Sequence, residues 1–182
     1  MTNKNKAALI TGASSGIGKA LASEFAQDGY DLVLAARSVD KMQALADALQ
    51  KRHKVTVTVI GADLQTQDGA QKLHSDIQAR GIVLGALVNN AGFGTYGEFK
   101  DAVLDDELAM MQLNMHTVVA LSKLFLPDLI ATRGKLLNVA STAAFQPGPY
   151  MAVYYATKAF VLSFSEAIAA ELAPHGVTVT AL

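Results

Sequence analysis

Tyr154 and Lys158 lie four residues apart in Y-Y-A-T-K, a spacing that puts both side chains on one face of a helix. A phenol has a usual pKa of about 10 and is a poor acid–base group near neutrality, so proton transfer by tyrosine needs a neighbour that favours phenolate. An ammonium one helical turn away supplies that charge. Tyr155 is the obvious rival, but only Tyr154 stands four residues before the lysine. Upstream, Ser141 follows an apolar run and offers a hydroxyl that can donate to an oxygen on which charge develops. Alone, each is commonplace: a solvated Tyr–Lys pair, a strand-end cap. A second stretch, A-A-L-I-T-G-A-S-S-G-I-G at 7–18, adds a different chemistry. Its apolar run ends at Thr11-Gly12, and Ile17, Leu21 and Phe25 then recur at helical spacing, so it reads as strand, tight turn and amphipathic helix. The unpaired N–H groups and positive dipole end of such a helix favour an anion, and glycines let the backbone approach a pyrophosphate. The spacing Gly12-x3-Gly16-x-Gly18 is neither G-x-G-x-x-G nor a P-loop with its lysine, and alone it also suits a plain helix-capping loop.

Bringing these residues together requires a scaffold, and the rest of the chain alternates strand and helix patterns. Residues 31–37 form a short apolar run, as in a strand covered on both faces. Ser38 can cap the next helix, with Asp40 in its first turn and Met42, Leu45 and Leu49 toward the sheet. Residues 55–60 (V-T-V-T-V-I) alternate like one arm of a hairpin, yet flanking helices and the lack of a two-residue turn favour a parallel strand near an edge. A helix over 69–80 follows through Ala70, Leu73 and Ile77, and a strand over 84–88 delivers Asn89-Asn90-Ala91-Gly92. The pattern predicts one long helix over 101–129, with Leu108, Met111, Met115, Val118 and Phe125 on one face and Leu121 and Leu124 widening it. A strand over 135–139 leads to Ser141, and after Pro147-Gly148-Pro149 a helix over 150–172 carries the stripe Val161, Phe164, Ile168 and Leu172. Residues 177–182 open a sixth strand. This order predicts an α/β fold: a doubly wound parallel sheet in three α/β/α layers, one dinucleotide-binding domain over 1–182. Ligands of such sheets bind beyond the carboxyl ends of the strands, where Gly12, Arg37, Asp63, Asn90 and Ser141 all fall.

The 182 residues are 51% apolar with a formal net charge of -1, which suggests neither a nucleic-acid groove nor an anionic membrane surface. There is no cysteine, hence no disulfide framework or thiolate chemistry, and the four histidines have no metal-ligand spacing, so no metal site is expected. The apolar run after the first residues is too short for a signal peptide, and no stretch approaches a membrane span; a cytoplasmic location is the expectation.

In combination, T-G-A-S-S-G-I-G at 11–18, N-N-A-G at 89–92, Asn114, Ser141 and Tyr154-Y-A-T-Lys158 resemble the short-chain dehydrogenase/reductase family over essentially the whole chain. The resemblance implies hydride transfer between a nicotinamide cofactor and a carbonyl/alcohol pair, the cofactor supplying hydride and the protein a proton. It implies a catalytic set of Asn114, Ser141, Tyr154 and Lys158: Tyr154 as general acid/base, Lys158 also holding the nicotinamide ribose, Ser141 on the substrate oxygen, Asn114 holding a relay water. It further implies that Gly12, Ser14, Ser15, Gly16, Ile17 and Gly18 form the pyrophosphate loop. Asp63 and Leu64 would flank the adenine, Asn90, Ala91 and Gly92 the adenosine ribose side, with Tyr154 and Lys158 at the nicotinamide end.

An NAD enzyme places a carboxylate at the end of the second strand for the ribose 2′-OH; here the strand ends Ala35-Ala36-Arg37-Ser38, and Asp31 is at its other end. A guanidinium there suits a 2′-phosphate, so NADP(H) is expected ahead of NAD(H). Ser15 stands where some NADP members carry a basic residue. Phe93, Tyr96, Phe145, Tyr150 and Met151 flank the presumed site and suggest a small apolar carbonyl or alcohol substrate. The long apolar helices suggest a homodimer or homotetramer. Family members continue past the sixth strand through a turn, a substrate loop, a helix and a seventh strand; the chain is therefore expected to be a C-terminally incomplete view of a longer polypeptide, or a poorly active fragment. A non-catalytic NADP-binding protein on the same fold is the alternative; a phosphate-hydrolysing module lacks the lysine and metal carboxylates it would need.

Overall fold

The computed structural model describes residues 6–182. Six strands form one sheet: β1 (Ala7–Thr11), β2 (Asp31–Ala36), β3 (Val57–Gly61), β4 (Leu84–Asn89), β5 (Lys135–Asn138) and β6 (Thr178–Ala181), in the order β3-β2-β1-β4-β5-β6. Every pairing is parallel, including β2 with β3, so the alternating third strand is a parallel edge strand and no hairpin.

Successive side chains of a strand point to opposite faces, and each face has its own core. Ala8, Ile10, Leu32, Leu34, Ala86 and Val88 pack beneath α1 (Gly16–Gln27) and α2 (Val39–His53), which contribute Ala22, Ala26, Met42, Leu45 and Leu49. Leu9, Val33, Leu87 and Leu136 face the other way, against Leu73 and Ile77 of α3 (Gly69–Ala79), Leu121 of α5 (Thr117–Leu124), Leu129 of α6 (Leu126–Thr132), and Phe125 between the last two. Ile168 and Leu172 of α7 (Ala152–Leu172) pack half-buried at the margin of that core. Each of these large side chains contributes about 1.5–3 kcal/mol on burial, which is why the central strands tolerate so few polar residues.

Several expectations change. The single helix over 101–129 is instead a 3₁₀ turn at Phe99–Asp101, α4 (Leu104–Met111), a π-turn at Gln112–His116, α5, and α6 set off by a 50° bend. The π-turn inserts a residue and rotates the apolar face: Met110, Leu113, Val118, Leu121 and Phe125 are buried, whereas Leu108 and Met111 point outward. Pro127 sits in the first turn of α6, where its missing N–H costs nothing, so the chain bends at Phe125 and restarts. Ile17 is exposed at the start of α1, whose buried residues are Gly18, Ala22 and Ala26. Ser38 occupies the N-cap position of α2 but makes no capping hydrogen bond, its backbone lying outside the extended cap conformation. The helix expected from 150 begins at Ala152, because Tyr150 has φ +66° and a left-handed residue cannot open a right-handed helix. Among the described residues no single helix is long and apolar enough to cross a membrane. The bent pair Leu104–Leu124 and Leu126–Thr132 passes that test together, but it buries Val118, Leu121 and Leu129 in the core.

Candidate active site

The turn after β1 is held open by glycine geometry. Gly12 has φ +66° and donates its N–H to the Ala35 carbonyl at 2.8 Å; a Cβ there would fall 2.8 Å from Asn90 Nδ2 and 3.0 Å from Ala91 Cα. Gly18, in the first turn of α1, lies so close that a Cβ would meet the Gly12 carbonyl oxygen at 2.5 Å, so no larger residue lets this helix approach its strand. Ser15 precedes α1 in extended conformation without a capping side-chain bond, leaving the first N–H groups of the helix to face the opening. Thr11 locks the floor: its Oγ accepts the backbone N–H of Asn90 and of Ala91, both at 3.0 Å, and donates to the Val88 carbonyl at 3.2 Å. The Asn90 amide donates to the Thr11 and Gly12 carbonyls at 2.8 and 3.3 Å, so this side chain clamps the glycine turn.

A cleft of about 1110 Å³ opens above these strand ends. Of the residues expected at a site, Gly12, Ser14, Ser15, Gly16, Ile17, Arg37, Asp63, Leu64, Asn90, Ala91, Gly92, Ser141, Tyr154 and Lys158 all line it. Gly18 lies buried beneath the turn, and Asn114 is buried one layer behind the wall.

Lys158 sits one turn after Tyr154 on α7, its ammonium 5.8 Å from the centroid of the tyrosine ring. The lysine is only 7% exposed, donates to the Val139 carbonyl at 2.7 Å, and burial pulls its pKa down to about 8. Ser141 accepts the Ala143 N–H at 3.1 Å on Oγ, which leaves its hydroxyl hydrogen free to donate. The Tyr154 ring lies over Gly94, where a Cβ would come within 2.8 Å of it; the Tyr155 ring packs on Gly148 and does not line the cleft.

Asn114 stands in the π-turn. Its amide donates to the Phe93 carbonyl at 2.9 Å and to Thr157 Oγ at 3.1 Å, and its Oδ1 accepts the Phe93 N–H at 3.2 Å. Both amide hydrogens are spent on the protein, so the side chain ties the loop after β4 to α7, while Oδ1 keeps one lone pair that a water can donate to. Gly92 lets the three approach: a Cβ there would lie 2.9 Å from Asn114 Oδ1 and 3.8 Å from Lys158 Nζ.

At the other end, exposed Arg37 donates to Gln65 Oε1 at 3.3 Å, and Asp63 Oδ1 accepts the Gln65 N–H at 3.0 Å. Asp31 stands at the far end of β2, where it accepts the Thr56 N–H at 2.7 Å. Of the five flanking apolar residues, Phe93 and Met151 line the cleft, Tyr96 and Tyr150 line a neighbouring cavity, and Phe145 is exposed and lines neither.

Beneath the site runs a polar chain that motif reasoning missed. Asn89 donates to Ser122 Oγ at 3.1 Å and to Asn138 Oδ1 at 2.9 Å, and Asn138 donates to Ser165 Oγ at 2.9 Å. Among the described residues nothing donates to Asn89 Oδ1. The only signal was an asparagine in each of two apolar strands, at positions where an aliphatic residue would be expected.

A glycine turn closed to a Cβ at Gly12 and Gly18, free helix N–H groups, a buried ammonium that pairs with no carboxylate among the described residues and a guanidinium at the end of β2 fit a phosphorylated dinucleotide. Residues 6–182 match the family model described as short chain dehydrogenase. The chain is 35% identical over 179 residues to very-long-chain 3-oxoacyl-CoA reductase-B of Danio rerio, covering 96% of this chain and 57% of that relative. It thus spans little more than half the length of the curated relative. Among solved structures it resembles the bulky-bulky ketone specific alcohol dehydrogenase from Comamonas testosteroni (TM-score 0.90, 37% identity, 97% of this chain and 71% of that one). A short-chain dehydrogenase from Sphingobium yanoikuyae in complex with NADPH is similar (TM-score 0.89, 36% identity, 97% and 69%).

Proposed function

This chain belongs to the short-chain dehydrogenase family, and on that premise we propose that it is an NADP(H)-dependent oxidoreductase acting on a carbonyl/alcohol pair. The observation that carries the reading is the convergence of Ser141, Tyr154 and Lys158 on the cleft whose other end is the glycine cradle. When bound, the nicotinamide supplies or accepts the hydride. Everything else falls to side chains. Tyr154 passes the proton to the carbonyl oxygen and takes it back in the reverse direction. Ser141 donates its free hydroxyl hydrogen to that oxygen as charge develops. Lys158 places a positive charge beside the phenol and the nicotinamide ribose. Arg37 pairs with the 2′-phosphate, and the NADPH complex of the Sphingobium relative supports that choice of cofactor.

The substrate is a carbonyl compound with an apolar body, since Phe93 and Met151 line the cleft that Tyr154 enters, and the ketone-specific Comamonas relative points the same way. Self-association as a dimer or tetramer is favoured by the outward apolar residues Leu104, Leu108, Met111 and Val119 of α4 and α5.

The test pairs turnover with cofactor choice. NADPH should be oxidised with bulky aryl ketones and should bind at least ~10-fold more tightly than NADH, a margin expected of one charge-assisted contact. Arg37→Asp should reverse that order by repelling the 2′-phosphate. Equal affinities in the unmodified protein would remove Arg37 from this role, and no turnover across the ketone panel would leave a cofactor-binding protein without reductase activity.

A further inference from the structure

Helix α7 carries Tyr154 and Lys158, yet apolar burial alone does not fix its rotation about its own axis. The successive residues Phe160, Val161 and Leu162 cover more than half of its circumference and Ala167 and Ala170 much of the rest, so apolar packing tolerates a range of rotations. Directional polar bonds must set the angle, and the buried face of the helix holds three polar groups, Thr157, Lys158 and Ser165. Thr157 Oγ accepts the Asn114 amide at 3.1 Å, Lys158 donates to the Val139 carbonyl at 2.7 Å, and Ser165 Oγ accepts the Asn138 amide at 2.9 Å. In the proposed mechanism the lysine also serves the nicotinamide ribose, so its bond to Val139 is no permanent fastening. Among the described residues, Asn138–Ser165 is the side-chain bond from α7 to the sheet that takes no part in the chemistry.

Donor counting fixes the polarity of that bond. The Ser165 hydroxyl donates its hydrogen to the Val161 carbonyl at 2.6 Å and can only accept from Asn138; the Ser122 hydroxyl is spent likewise on the Val118 carbonyl at 2.7 Å. Asn138 therefore turns its amide hydrogens to α7 and its oxygen to Asn89, whose own amide hydrogens go to Asn138 and Ser122. Flipping either amide would set acceptor against acceptor. Asn89 also accepts the Val139 N–H on its main-chain carbonyl at 2.9 Å, so one residue holds both the partner of Ser165 and the carbonyl to which Lys158 donates. The chain is kept at a loss, because nothing among the described residues donates to buried Asn89 Oδ1 and aliphatic residues at 89 and 138 would leave no such oxygen. A buried polar chain with one allowed arrangement sets position, which a plain apolar contact does not.

We propose that Asn138 and Ser165 are positioning residues: their hydrogen bond pins α7 in rotation against β5 and holds Tyr154 and Lys158 at the angle from which they serve the cleft. The proposal rests on the reductase reading for its kinetic arm. Ser165 follows Lys158 by two helical turns, about 10 Å, on the same buried face, so a rotation released at the serine is felt at the lysine. Ser122 ends the same chain on α5, which contributes no residue to the proposed mechanism.

Ser165→Ala tests the pin, with Ser122→Ala as the matched control. Each removes one hydroxyl that accepts from an amide of the chain and donates four residues back along a helix, where alanine is a favourable replacement. Both should lower Tm alike, by about 2–8 °C. Only Ser165→Ala should reduce kcat for ketone reduction, by ~10-fold with the ketone KM within about twofold, the split expected of misplaced reacting groups. Lys158 supplies a readout that needs no turnover. Followed by 13C NMR of its side chain, its titration midpoint of about 8 should rise to about 9 in Ser165→Ala as the released ammonium reaches water, and stay in place in Ser122→Ala. A midpoint unmoved in Ser165→Ala, or moved equally in both variants, overturns the proposal, and so does an unchanged kcat beside a shifted midpoint. Ketones left unreduced by the unmodified protein overturn the reductase reading alone, and the two midpoints then decide on the pin. If Ser165→Ala fails to melt cooperatively, Ser165→Cys, of similar size and with a weaker acceptor, takes its place with the same outcomes.

Discussion

Tyr154→Phe is expected to lower ketone reduction by ~10³-fold or more while NADPH affinity changes little. In the proposed mechanism the phenol is the group that exchanges a proton with the substrate oxygen, and removing a general acid typically costs 10²–10⁴-fold. The ring itself is retained, so the packing on Gly94 persists. Single-turnover rates and fluorescence titration of NADPH separate the two effects: a loss confined to affinity would move Tyr154 from chemistry to binding. Tyr155→Phe is the control. That ring packs on Gly148, away from the cleft, and its loss should leave turnover within about twofold, as for a substitution that removes no transition-state contact.

The inner strands β1, β2 and β4 were legible because each is short, apolar and bounded by turn residues, as burial on both faces demands, whereas β3 alternates and only its flanking helices separated it from a hairpin arm. The rim was legible for the same reason: once strand ends are placed, Gly12, Arg37, Asp63, Asn90 and Ser141 must share an edge. What could not be read depends on single residues of phase. Leu108, Met110, Met111, Leu113 and Met115 offer an apolar residue at almost every angle, so the sequence pattern could not reveal that a π-turn rotates the face between Met111 and Thr117. That rotation is what brings Asn114 inward to Phe93 and Thr157. Asn114 is thereby a clamp between two walls of the site, and the second lone pair of its Oδ1 is what it can still offer a water. Glu107 was hidden by company: D-D-E at 105–107 reads as ordinary acidic residues complementing the start of a helix, and only the fold shows that the third is buried. Tyr150 was equally opaque, since a left-handed tyrosine is dictated by the loop around it and by no local preference.

Lys158→Met should stabilise the folded protein near neutral pH and disable it as an enzyme. Burial depresses this lysine from 10.5 to about 8, so the fold disfavours its charged form. The sign follows from proton counting. Below pH 8 the folded and unfolded chains both carry the proton and the folded state bears the full cost of a buried ammonium. Between about 8 and 10.5 the unfolded chain still holds the proton that the folded chain has lost, so stability rises with pH through that window, and beyond it the cost is gone. At 1.36 kcal/mol per pKa unit the cost is roughly 3 kcal/mol, against a typical total stability of about 5–15 kcal/mol. Methionine removes the charge and keeps most of the packing, but strands the Val139 carbonyl, a loss of about 1–3 kcal/mol. The variant should therefore gain roughly 0–2 kcal/mol at pH 7, and this advantage should vanish or reverse by pH 10.5 as the wild-type lysine becomes neutral. Denaturant titrations of both proteins at the two pH values measure it, and a variant that is less stable at pH 7 by the same margin as at pH 10.5 would contradict a buried, penalised charge. Activity should move the opposite way. Ketone reduction should fall ~10²-fold or more in the variant, and in the unmodified protein it should decline above about pH 8 as the ammonium beside Tyr154 is lost. A lysine kept where it weakens the fold is the expected signature of a charge retained for chemistry, because nothing in the packing around Val139 and Tyr154 requires it to be positive.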